Sequence, residues 1–171
     1  MATVSVPVPI GLVQPLLDKL DGLKAKFLAV PANARAALDR LARIRVEINR
    51  QGTVPVEINQ AAMAVENNLK RVQSEWQTAA ERFTMLDEMR RSNQLLTMDG
   101  LQLASSLVLS AGCVLANSDK SIRAVDDFAR KYLTPEQQNT LNTQTAGVGG
   151  GISPMLLLYA AVGYYFLRRR R

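Results

Sequence analysis

Three features of the sequence predict an all-α fold. Alanine, leucine and valine carry its hydrophobicity, and aromatic residues make up only 5% of it. Glycine and proline are sparse through the middle of the chain. Apolar residues recur at spacings of three and four, the period of one helix face. The expected architecture is an elongated helical bundle with one long heptad-patterned helix, a Gly-rich linker and a C-terminal hydrophobic helix. At 171 residues the chain suffices for one domain with a modest core plus an appendage.

Residues 1–9 read as an extended arm, because Val4, Val6 and Val8 alternate with Ser5, Pro7 and Pro9. The helical bundle is expected over residues 10–143. Its first helix carries Leu16, Leu20, Leu23 and Phe27 on one face. Gly22 weakens that helix by roughly 1 kcal/mol relative to alanine. Pro31 is expected to end it or to sit in the turn after it. A second helix then begins near residues 31–33, with the stripe Ala37, Leu41, Ile44 and Ile48. Gln51-Gly52 closes it, since glycine adopts the left-handed cap at little cost. Thr53, Val54 and Pro55 form a short linker.

The third helix is expected over about residues 56–97. Ile58, Ala62, Val65, Leu69, Val72, Trp76, Ala79, Phe83 and Leu86 alternate spacings of four and three, a 3.5-residue repeat that ends where Arg90 takes the next position. At 1.5 Å per residue such a helix is about 60 Å long. Ile58, Val65, Leu69, Val72, Trp76, Phe83 and Leu86 are its candidate helix–helix seam. The seam fits antiparallel packing within the chain and self-association into a homo-oligomer, and the two are compatible.

Residues 100–118 contain no charge and lie between Asp99 and Asp119. The length suits a membrane span, but Gln102, Ser105, Ser106, Ser110 and Gly112 make it a weak one. It fits a buried helix or a second membrane-contacting segment. Asn117-Ser118-Asp119 is expected to cap a following helix whose apolar side is Ile122, Val125, Phe128, Ala129 and Tyr132. Thr134-Pro135-Glu136-Gln137 starts another: a threonine cap, proline at the first helical position, glutamine at the third. Residues 144–152, rich in glycine, read as a flexible linker.

The most polarised stretch is residues 153–171. Ser153 and Pro154 form a helix start. The uncharged run that follows contains Met155, Leu156, Leu157, Leu158, Tyr159, Val162, Tyr164, Tyr165, Phe166 and Leu167, the candidate membrane-engaging residues. Arg168, Arg169, Arg170 and Arg171 close it and are expected to contact an anionic surface. The run makes about 21 Å of helix, short of the roughly 30 Å hydrocarbon core. Snorkelling arginines extend its reach, and Tyr164, Tyr165 and Phe166 sit where an aromatic belt would lie. Net charge is +6; subtracting the four terminal arginines leaves +2, so the excess charge is local. Gly149-Gly150-Gly151, the apolar run and the arginines resemble the tripartite tails of bacterial surface proteins processed at a Gly-Gly site. The resemblance covers residues 149–171; those proteins also carry a signal peptide, which residues 1–9 do not resemble.

The sequence excludes several chemistries by count. It has no histidine and a single cysteine, Cys113. Zinc sites of His and Cys, Ser–His and Cys–His nucleophiles and an internal disulfide are therefore absent. Gly147-Val148-Gly149-Gly150-Gly151 lacks the Lys-Ser/Thr of a phosphate loop, and Ile152 stands where a dinucleotide fingerprint needs glycine. Asp126 and Asp127 are adjacent and diverge on a helix. Glu81, Asp87 and Glu88 read as a solvated face balanced by Arg82, Arg90 and Arg91. Cys113 lies in apolar company and is expected to be inert.

No catalytic, cofactor-binding or metal-binding residue is expected, and no small-molecule substrate. The expected function is that of a non-enzymatic, membrane-associated structural or interaction protein. It self-assembles through the heptad helix and engages a lipid bilayer with its tail. No secretory signal is recognisable at residues 1–9, and the positive-inside rule would place the arginines on the cytoplasmic side. Three arrangements reconcile the two: a tail-anchored protein whose short, arginine-flanked end departs from the rule, a tail that inserts only on oligomerisation, or a protein carried to the membrane by a virus particle. Two alternatives are a pore-forming protein that also uses residues 100–118, and a soluble scaffold or packaging protein whose arginines touch nucleic acid.

Overall fold

The computed structural model describes residues 7–147. Four helices, α1 (Ile10–Asn49), α2 (Val56–Arg91), α3 (Met98–Tyr132) and α4 (Pro135–Gly147), account for 88% of those residues. No strand occurs among them, only an isolated bridge between Pro7 and Thr97. The all-α expectation holds.

One helix, α1, stands where two were expected, and it contains both Pro15 and Pro31. Pro31 has no N–H, so the carbonyl of Phe27, four residues earlier, loses its helical partner. The indole N–H of Trp76 donates to that carbonyl at 2.8 Å. The Phe27 ring stacks on Trp76 and tilts against Phe83, with centroids 5.7 and 4.9 Å away. On either side of Pro31 the buried stripe continues, through Phe27, Val30, Ala34, Ala37 and Leu41. Burial of that stripe, with the lost bond replaced from α2, outweighs the break that proline causes alone.

The α2 helix stops at Arg91, short of residue 97. Asn93 takes a left-handed conformation (φ 57°) and the N–H of Gln94 donates to the Met89 carbonyl at 2.9 Å. This is a Schellman closure made with asparagine in place of glycine. Thr97 then caps α3: its Oγ1 accepts from the Gly100 N–H at 3.2 Å and donates to the Gln94 carbonyl at 2.7 Å. Gly100 is required here, because a Cβ would overlap the Leu95 carbonyl group.

Asn117-Ser118-Asp119 does not begin a helix; α3 runs through it. Asn117 donates from Nδ2 to Glu75 Oε2 on α2 at 2.9 Å, and Ser118 is buried. Cap-competent side chains are thus spent on packing between helices. The α4 start is as expected: the Thr134 N–H donates to Gln137 Oε1 at 2.8 Å and the Gln137 N–H to Thr134 Oγ1 at 3.4 Å. This is the reciprocal capping box.

The helices form two compact units. The first comprises, among the described residues, residues 7–31 together with Asn68–Ser121. Its core joins Val13, Leu20 and Phe27 of α1, Val72 and Ala79 of α2, and Ala104, Leu107 and Ala111 of α3. Just before α1, Val8 is buried, and its N–H donates to the Leu96 carbonyl at 2.9 Å. The second comprises, among the described residues, Ala32–Asn67 together with residues 122–147. Its buried residues include Ala37, Leu41, Ile44, Ile48, Ala62, Val125, Phe128 and Leu133. Arg40 meets Asp126 at 2.6 Å and Arg45 meets Glu66 at 3.3 Å, tying α1 to α3 and to α2. Asp126 Oδ1 is buried and misaligned for a hydrogen bond, so its contact with Arg40 is electrostatic.

Candidate functional site

Three stretches are candidates: the α2 seam, the uncharged part of α3 and the tail. Met155–Leu167 and Arg168–Arg171 lie outside the described residues.

The seam faces inward. Leu69, Val72 and Leu86 are buried, and Ile58, Val65, Trp76 and Phe83 are half-buried. In the first unit Val72 and Leu86 belong to the core, with Trp76 and Phe83 packed against it. In the first unit this stretch of the seam therefore packs against the chain's own helices.

Among the described residues α3 is the one helix long and apolar enough to cross a membrane, with mean hydropathy 1.4 over its most apolar window and 33% of that window buried. The segment has two faces. Ala104, Leu107, Val108, Ala111, Val114 and Ser118 form the buried one. Gln102, Ser105, Leu109, Cys113 and Ala116 form the exposed one, at helical spacing. Leu109 is 69% exposed, and the exposed Met98 continues the same line at the helix start. A Cβ at Gly112 would meet nothing within 4 Å. Beyond Ala116 the line continues through the exposed Lys120 and Arg123.

Cys113 is exposed, against the expectation of an apolar burial. Residues 100–118 read as one uniform apolar block when charge alone is counted. A helical period separates them into a core line and a surface line, and Cys113 falls on the surface line.

A shallow open groove of about 420 Å³ lies in the first unit, between Ile10, Val13 and Leu17 of α1 and Asn93, Leu95 and Leu96 of the α2–α3 turn. Arg90 is its one charged lining residue. No group of three or more His, Cys, Asp or Glu gathers among the described residues to hold a metal. Paired acid–base groups and an activated nucleophile are likewise not brought together in the groove. What the geometry offers is surface: an uncharged helix face with a cationic end. Comparison with protein-family models, with curated proteins and with solved structures gives no match to this chain.

Proposed function

We propose that the chain is a non-enzymatic, membrane-associated structural or interaction protein, in which the helical bundle carries a C-terminal membrane-engaging tail on a glycine-rich linker. The observation that carries this reading is the polarity of residues 155–171: thirteen uncharged residues, then four arginines. No polar face runs along the uncharged part, so a one-sided surface helix does not account for it. The apolar character of α3 is compatible with membrane association by length and composition. Four clustered arginines at an anionic surface contribute on the order of 1 kcal/mol each.

Flotation with anionic liposomes, comparing the full chain with one ending at Gly151, tests the proposal. The full chain is expected to float and the shortened one to stay with the soluble fraction. Retention of both in the soluble fraction overturns the reading. Flotation of both moves the membrane contact to the bundle and favours the pore-forming alternative. That alternative places residues 100–118 in lipid and requires Ala104, Leu107 and Val108 to leave the core of the first unit. The nucleic-acid reading is distinguished by steeply salt-dependent binding that disappears when Arg168–Arg171 are deleted.

A further inference from the structure

We draw no further inference here: the strongest candidate, the shallow apolar groove of the first unit between the start of α1 and the α2–α3 turn, has Arg90 as its one charged lining residue, and nothing in the structure shows what covers it.

Discussion

The Trp76 indole donates its N–H to the carbonyl of Phe27 across 2.8 Å, and that carbonyl is the one Pro31 leaves without a donor in its own helix. A residue from α2 thereby completes the hydrogen bonding of α1 at its proline. The same indole stacks on the Phe27 ring, so one side chain supplies both packing and the missing donor.

Replacing Trp76 with phenylalanine keeps an aromatic ring and removes the donor. The expected loss is about 1–3 kcal/mol, the cost of an acceptor left unsatisfied away from water. Pro31→Ala restores a backbone N–H to the Phe27 carbonyl, so it should recover much of that loss in the Trp76→Phe background. Denaturant unfolding followed by circular dichroism measures both, since Trp76 is the only tryptophan and its fluorescence disappears with it. Strictly additive effects of the two substitutions would show that the indole and the proline are not coupled.

Gly100→Ala places a methyl group against the Leu95 carbonyl, and backbone cannot yield as a flexible side chain does. A destabilisation of roughly 1–3 kcal/mol is expected, in the range of overpacked sites. Gly112→Ala on the same helix meets nothing and should stabilise the monomer slightly, by up to about 1 kcal/mol. Comparable unfolding midpoints for the two variants would contradict the geometry at Gly100.

Asn93→Gly should stabilise the chain by several tenths of a kcal/mol to about 1, because glycine adopts the left-handed conformation without a Cβ penalty. Thermal unfolding that moves downward would mean that the Asn93 side chain contributes more than its backbone conformation costs.

At the start of α4, Thr134→Ala removes the acceptor for the Gln137 N–H, and Gln137→Ala removes the acceptor for the Thr134 N–H. Each is expected to cost about 1 kcal/mol, and the pair less than the sum, as the two bonds form one box. Amide exchange over residues 135–143 reads this locally. Rates unchanged in both variants would remove the box from any role in holding α4.

Cys113 should react with a water-soluble maleimide in the folded protein at low concentration, because its side chain is exposed. Protection that persists on dilution, and ends only in denaturant, would place α3 differently from the fold described.

Local chemistry was readable in advance, and distant chemistry was not. The α4 start is written in four consecutive residues, Thr134 to Gln137, and folds as those residues dictate. The stripe of α2 identified residues that turn inward, from Val72 to Leu86. Pro31 misled because its remedy, Trp76, comes from another helix. Asn117-Ser118-Asp119 misled for the same reason: a good local cap was drawn into the contact with Glu75. The end of α2 is faint in the sequence because asparagine is a weaker stop than glycine, and Asn93 carries the left-handed turn. The exposed face of α3 does not show in the charge content of residues 100–118 and emerges only at helical period.

The bond from Val8 to Leu96 sets an order of events during synthesis. The arm is made early, yet its acceptor emerges only after α1 and α2 have left the ribosome. At roughly 5–20 residues per second, the delay is on the order of ten seconds. Throughout it the Val8 N–H lacks its native acceptor, and the groove edge near Ile10 and Leu17 lacks its wall of Leu95 and Leu96. Translation of the α2–α3 turn is therefore the earliest moment at which the arm can pair, while the core of the first unit still awaits Ala104, Leu107 and Ala111 of α3; a nascent chain stalled before Leu96 would present its unpaired arm to whatever chaperone meets it.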